Sequence, residues 1–137
     1  MIPPWVAKYT GIPFRSRGRT LEGSGCYGIP YLVLRAEKGL EVPECSDGYT
    51  TVADSREIAS LIDHGKTRWP WLPVGQPRCF DVVLFWLTDH YHVGLMVDRY
   101  HMLHIVPGSS SLLERVDTPF WSAAHRHQGY YRHADLT

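Results

Sequence analysis

From residue 80 onward the chain consists of short apolar runs separated by polar turns, and this pattern constrains the fold more than any other feature. Residues 80–87, 93–97 and 102–106 are rich in β-branched and aromatic side chains, and residues 129–132 are a candidate for one more strand. Runs of this kind are typical of antiparallel strands joined by short turns. The second half of the chain is therefore predicted to form an antiparallel sheet.

The first half of the chain shows a helical periodicity instead. In residues 26–38 the apolar positions recur every three or four residues, and Gly39 can end such a helix. Pro30 cannot donate a hydrogen bond to the carbonyl group of Cys26, so we expect a distorted first turn.

Two further helices are expected. A brief one near the start would bury Trp5, Val6 and Tyr9, and a second is predicted over residues 54–64. Residues 69–79 contain three prolines and a glycine and are predicted to form a connecting loop. Helices followed by strands predict one α+β domain over residues 1–137, with the helices packed on the sheet.

The overall composition excludes some classes of partner. The 14 basic and 14 acidic residues cancel, so we expect neither nucleic acid nor an anionic membrane surface as the main partner. The longest apolar run, residues 82–87, is much shorter than the ~20 residues of a membrane span. Pro3 and Pro4 follow the start directly, with no basic segment and no apolar segment, which predicts no signal peptide and a cytoplasmic origin.

Cys26 is the candidate nucleophile among three widely spaced cysteines. It follows Gly23, Ser24 and Gly25 and precedes the first predicted core helix. The N-terminus of a helix favours a thiolate, and small preceding residues would leave room for a substrate. The alternative is a small buried packing residue, which is the more common fate of a free cysteine. Cys45 and Cys79 precede no predicted helix and are interpreted as structural.

His92 and His104 are the candidate partners of that thiol. A three-residue loop at residues 98–100 would place Gly94 opposite His104, and the two histidines would then share a face as diagonal neighbours. One imidazole could orient the other, as the third member of a catalytic triad does. A two-residue loop would place them on opposite faces, and each histidine alone would be an ordinary strand residue.

These residues occur within an ordered set of motifs that resembles the NlpC family of cysteine peptidases. Residues 11–15, 18–20 and 25–28 are similar to the nucleophile region of that family, and residues 81–85 are similar to its strand before the catalytic base. His92-Val93-Gly94 resembles the base motif, and Met102-Leu103-His104 resembles the third catalytic position. The resemblance covers residues 5–132.

The resemblance implies a papain-like fold in which Cys26 attacks, His92 transfers the proton and His104 orients His92, with neither a metal nor a cofactor. It implies peptidoglycan stem peptides as substrates, often cut after D-glutamate. Residues 113–115, 119–121 and 129–132 are similar to the phage tail-assembly subgroup. That subgroup implies a place at a virion-like tail tip, tail-tip or hub proteins as partners, and a part in genome entry.

Three positions differ from the family pattern and keep other functions open. Gly25 stands where the family usually has Asp, Phe14 where many members have a Tyr that assists the oxyanion, and Pro30 where an aliphatic residue is usual. These differences favour, as an alternative, a weak or inactive structural tail-tip protein with the same fold. A glycan-binding module is a third possibility, with Trp69 and Trp71 as the best candidates to touch a ligand.

A zinc site is the remaining alternative. His90 with His92 and His125 with His127 have the spacing of two ligands on one strand face, but no C-x-x-C pair and no H-E-x-x-H helix accompanies them. His125, His127 and His133 are therefore interpreted as solvated residues, and no metal is expected.

Overall fold

The structure, a computed structural model, describes residues 2–16, 18–42 and 71–136. The helix predicted over residues 54–64, the interpretation of Cys45 and the suggestion for Trp69 lie outside these residues. In chain order the elements are a 3-10 helix (Pro4–Tyr9), β1 (Arg19–Thr20), β2 (Gly23–Ser24), α1 (Gly28–Lys38), β3 (Trp71–Val74), β4 (Val82–Leu87), β5 (His90–Met96), β6 (His101–His104), β7 (Leu112–Arg115), α2 (Pro119–Ser122) and β8 (His127–His133).

Six of the strands form one sheet in the order β3-β8-β4-β5-β6-β7, and every neighbouring pair is antiparallel. This confirms the predicted α+β class and the antiparallel sheet. The strands expected from residue 80 onward are all present, with limits shifted by a few residues. Among the described residues, no helix is long and apolar enough to cross a membrane.

Both edges of this sheet differ from the sequence-based expectation. The loop predicted over residues 69–79 contains the edge strand β3, in which Pro73 lies opposite Tyr131. Proline is tolerated there because an edge strand has one side without ladder bonds. Trp71 is fully buried, so the suggestion that it touches a ligand is wrong. The opposite edge strand, β7, was not predicted as a strand.

The start of α1 also differs from the expectation. The helix begins at Gly28, so Cys26 precedes it by two residues, and Tyr27 is the N-cap. Pro30 is then the third helical residue, where a backbone N–H has no partner within the helix. The expected distortion at Pro30 is thereby avoided. Gly39 ends the helix in a left-handed conformation, with φ of 63°, as predicted.

The central strands bury different side chains on their two faces. One face, which we call the helix face, packs against α1 through Val82, Leu84, Val93, Leu95 and Leu103 together with Ile29, Val33 and Leu34. The other, which we call the ring face, carries Val83, Phe85, Met96 and Met102 together with Val116 and Trp121. His92 and His104 belong to the ring face by strand alternation, because Phe85 lies opposite His92 and Glu114 lies opposite Met102.

Candidate active site

The segment that leads to Cys26 is fastened to the chain that follows His104. The backbone N–H of Ile12 donates to Ser111 Oγ at 2.9 Å, and that of Phe14 donates to the carbonyl group of Ser109 at 3.0 Å. Phe14 in turn forms a parallel bridge with Ser24 in β2. The turn that carries Cys26 is therefore tied, through two short pairings, to the connection between β6 and β7.

Cys26 lies in the turn between β2 and α1 and is 7 % exposed. The backbone N–H of Gly28 donates to the carbonyl group of Gly25 at 3.0 Å, which closes this turn directly before the helix. Cys26 belongs to the buried cluster of the helix face. The thiol thus lies within one turn of a helix N-terminus, where partial positive charge favours a thiolate.

The small residues around Cys26 allow the neighbouring segments to pack closely. A Cβ atom at Gly28 would lie 2.2 Å from Ser24 Oγ and 2.4 Å from the carbonyl oxygen of Gly18, and one at Gly18 would lie 2.4 Å from the carbonyl oxygen of Gly23. Ser24 itself is fully buried. These positions allow close approach of β1, β2 and α1. The room for a substrate expected from Gly23, Ser24 and Gly25 stays a prediction.

His92 and His104 meet as the twelve-residue spacing predicts. Leu95 pairs with Leu103 and Met96 with Met102, which is the register of the three-residue loop and not of the two-residue loop. The Nε2 atom of His92 lies 2.8 Å from the Nδ1 atom of His104. Both residues are 2 % exposed. The proximity of the two histidines is confirmed.

Glu114 extends this pair to a chain of three side chains, and sequence reasoning missed it. Its Oε1 atom lies 2.9 Å from the Nε2 atom of His104. Glu114 lies opposite Met102 in the β6–β7 register, so it shares the ring face with His104. Glu114 lies two residues after Leu112, the residue opposite His104, but the sequence did not indicate that this segment is a strand.

Trp121 covers the two imidazole rings. Its ring lies 5.6 Å from that of His92 in a nearly parallel arrangement and 5.3 Å from that of His104 in an edge arrangement. Phe85 completes the aromatic enclosure, with its ring 4.6 Å from that of Trp121. The short helix α2 holds Trp121 in place, and the Thr118 side chain accepts a hydrogen bond from the Trp121 backbone N–H at its start.

This enclosure keeps both histidines neutral near pH 7. Burial lowers the pKa of His92 well below its ordinary value, and the nearby His104 and His90 add to that effect. Burial also lowers the pKa of His104, although Glu114 acts in the opposite direction by stabilising the protonated ring. A neutral imidazole can accept a proton, which is what a general base requires.

The remaining histidines and cysteines have other surroundings. His133 is 2 % exposed, and its Nε2 atom lies 2.8 Å from the carbonyl oxygen of Glu41. The interpretation of His133 as a solvated residue is therefore wrong. His127 is half-buried and packs edge-on against Phe85, whereas His125 is exposed, as interpreted. Burial raises the pKa of the Cys79 thiol to about 11. Among residues 2–16, 18–42 and 71–136, no group of three or more His, Cys, Asp or Glu side chains could hold a metal ion.

The structure therefore brings His92 and His104 together and adds Glu114. It places Cys26 before the N-terminus of α1, on a turn fastened to the connection between β6 and β7. Contact between the sulfur of Cys26 and the ring of His92 stays a prediction, as does the catalytic role of all three residues. Such a contact would join the clusters of the helix face and the ring face.

Comparison with known proteins identifies the fold. No protein-family model matches this chain. No curated protein matches it either. Among solved structures, it is similar to the NlpC/p60 domain of the peptidoglycan hydrolase SagA, with a TM-score of 0.55 and 21% identity over 91% of this chain and 89% of that one.

A second solved structure is a protein described as similar to lipoprotein, of the NLP/P60 family, from Staphylococcus aureus subsp. aureus Mu50. It gives a TM-score of 0.63 and 14% identity over 93% of this chain. The chain spans 38% of the length of that protein. At these identities the likeness establishes the fold, and the chain has the NlpC/p60 fold.

Proposed function

We propose that this chain is a cysteine peptidase in which Cys26 is the nucleophile, His92 is the general base and His104 orients His92. The observation that carries the proposal is the buried hydrogen bond of 2.8 Å between His92 and His104. Two adjacent imidazoles are rarely fully buried unless each has a hydrogen-bond partner, because burying an unpaired polar group costs free energy. The NlpC/p60 fold and the position of Cys26 before α1 support the same assignment.

The chemistry follows from which nitrogen atom of His92 is available. Its Nε2 atom is engaged by His104, so the proton of the Cys26 thiol would pass to Nδ1. The thiolate then attacks the peptide carbonyl carbon, and His92 returns the proton to the leaving amine. Because burial favours the neutral imidazole, the resting state would be thiol and imidazole, with proton transfer accompanying attack. Phe14 offers no hydroxyl group, so backbone N–H groups near Cys26 would support the oxyanion.

Peptidoglycan stem peptides are the proposed substrates. The motifs around Cys26, His92 and His104 resemble those of cell-wall peptidases. One similar solved structure is named as a domain of a peptidoglycan hydrolase. A peptide crosslink is cleaved by the same acyl-transfer chemistry that a thiol and an imidazole provide.

The proposed setting is a virion-like tail tip assembled in a bacterial cytoplasm, where wall cleavage would aid genome entry and tail-tip or hub proteins would be neighbours. The C-terminal segments 113–115, 119–121 and 129–132 support this through their resemblance to the tail-assembly subgroup. A structural tail-tip role without catalysis is the second candidate. Phe14 favours it, because that position lacks the hydroxyl group that assists the oxyanion in many family members.

Cys26→Ala tests the enzymatic proposal, with Cys79→Ala as the matched control. Loss of a covalent nucleophile should lower the release of stem-peptide fragments by about 10⁴-fold or more, while Cys79→Ala should retain activity. Tail particles carrying Cys26→Ala should assemble and enter hosts poorly where the wall is thick. Equal hydrolysis by both variants would exclude Cys26 as nucleophile. No hydrolysis by wild type, together with normal entry of Cys26→Ala particles, would favour the structural role.

A further inference from the structure

Glu114, His104 and His92 form one continuous hydrogen-bonded chain across three neighbouring strands. Glu114 Oε1 lies 2.9 Å from His104 Nε2, and His104 Nδ1 lies 2.8 Å from His92 Nε2. Strands β5, β6 and β7 carry one member each, and all three side chains belong to the ring face. The order of these three side chains determines which ring nitrogen of each histidine carries the proton.

The carboxylate of Glu114 determines which atom donates and which accepts in each of these hydrogen bonds. An ionised carboxylate has no proton to donate, so His104 must donate from Nε2 to Glu114. A neutral His104 then has no proton on Nδ1, and that atom accepts. His92 must therefore donate from Nε2, which leaves its Nδ1 atom without a proton and with a lone pair.

We propose that Glu114 is a positioning residue that fixes the tautomers of His104 and His92 and so makes Nδ1 of His92 the basic atom of the site. The inference rests on the proposed function for its catalytic meaning, but the tautomers themselves do not depend on turnover. When His92 accepts the thiol proton, no proton passes to Glu114. The carboxylate acts through His104 by holding that ring as an acceptor toward His92.

The partly exposed position of Glu114 suits this role. Its side chain is 42 % exposed while that of His104 is 3 % exposed, so the carboxylate keeps contact with water. Without it, His104 could carry its proton on Nδ1 and donate to His92 Nε2. His92 would then hold its own proton on Nδ1 and could not accept another there.

Nitrogen-15 NMR of histidine-labelled protein near pH 8 tests this directly, because the two ring nitrogens have distinct shifts when protonated and unprotonated. We expect wild type to show both rings protonated at Nε2. Glu114→Leu should move His92 and His104 toward Nδ1 protonation, and Glu114→Gln should restore the wild-type pattern, because its amide oxygen still accepts from His104. Glu22→Gln, a change in the β1–β2 turn, is the matched control and should leave the pattern unchanged.

Kinetics supply the second measurement. Glu114→Leu should lower kcat by about tenfold or more with KM nearly unchanged, since a misplaced proton removes general-base catalysis, and Glu114→Gln should recover most of it. Wild-type His92 protonated at Nδ1, or tautomers unaltered by Glu114→Leu in a protein with native circular dichroism, would overturn the inference. If the tautomers change as expected but wild type hydrolyses no stem peptide, the proposed function fails and the positioning role of Glu114 stands.

Discussion

The two faces of the central sheet are built from the same strands but differ in the interactions that hold their side chains in place. The helix face is filled by aliphatic side chains such as Val93 and Leu95, which pack against α1. The ring face places imidazoles and a carboxylate among Phe85, Met96 and Trp121. Packing on the helix face is non-directional, whereas each polar atom on the ring face needs a partner at a defined distance. Both faces bury apolar side chains, but only the ring face also has to satisfy the hydrogen bonds of His92, His104 and Glu114.

Removal of an aliphatic side chain from the helix face should have the largest effect on stability. Leu95 is fully buried, and Leu95→Ala should lower the free energy of unfolding by about 2–5 kcal/mol, because lost burial and a residual cavity add. Urea denaturation of wild type and variant measures this. The tautomers of His92 and His104 should remain those of wild type in the folded variant. A change in them would mean that the two faces are not separable.

The sequence predicted the helix face better than the ring face for a physical reason. The apolar runs of β4 and β5 and the helical periodicity of residues 26–38 are each visible in local sequence. The register that joins His92 to His104 was also accessible, because one short loop sets it. Glu114 was not accessible, since β7 reaches β6 through a longer connection and its segment lacks a clear apolar alternation. The edge strand β3 was not predicted because Pro73 indicated a loop. The start of α1 was predicted two residues too early because Cys26 was assumed to be helical.

The second-largest difference between the two faces should be their response to acid, because the buried histidines lie on the ring face. The pKa values of His92, His104 and His127 are lowered in the folded protein, chiefly by burial. Below the unfolded pKa of about 6.5, the unfolded chain binds protons that the folded one does not. Stability should therefore be complete above that pH and fall as the pH decreases, by up to about 1.4 kcal/mol per pH unit for each histidine.

Urea denaturation between pH 7.5 and pH 5 measures this loss. His92→Leu removes one of the responsible groups and should make the pH dependence shallower. Leu95→Ala is the control, because it destabilises the helix face and should shift the curve without altering its slope. The same slope in wild type and His92→Leu would show that His92 is protonated as readily in the folded protein as in the unfolded chain.

Gly94 provides the smallest and most local test, because it lies beside the polar chain on the ring face. A Cβ atom there would lie 2.8 Å from Met102 Sδ, 3.3 Å from Val83 Cγ1 and 3.4 Å from His104 Cβ. The thioether of Met102 can move aside, so Gly94→Ala should lower the free energy of unfolding by only about 1 kcal/mol. Val83 must also give by a few tenths of an ångström, and the new methyl group would lie in van der Waals contact with His104 Cβ. In the proposed mechanism hydrolysis depends on sub-ångström placement of His104, so this added contact should lower the rate of hydrolysis by up to about tenfold.

Gly75→Ala is the matched control for that change. A Cβ atom at Gly75 would meet nothing within 4 Å, so both stability and hydrolysis should remain close to wild type. Stability and initial rates measured on the same preparations separate the two effects. If Gly94→Ala loses much more activity than its loss of stability explains, hydrolysis depends on the exact placement of side chains on the ring face. If the loss of activity only follows the loss of stability, the two faces differ in composition but tolerate small displacements of their side chains equally well.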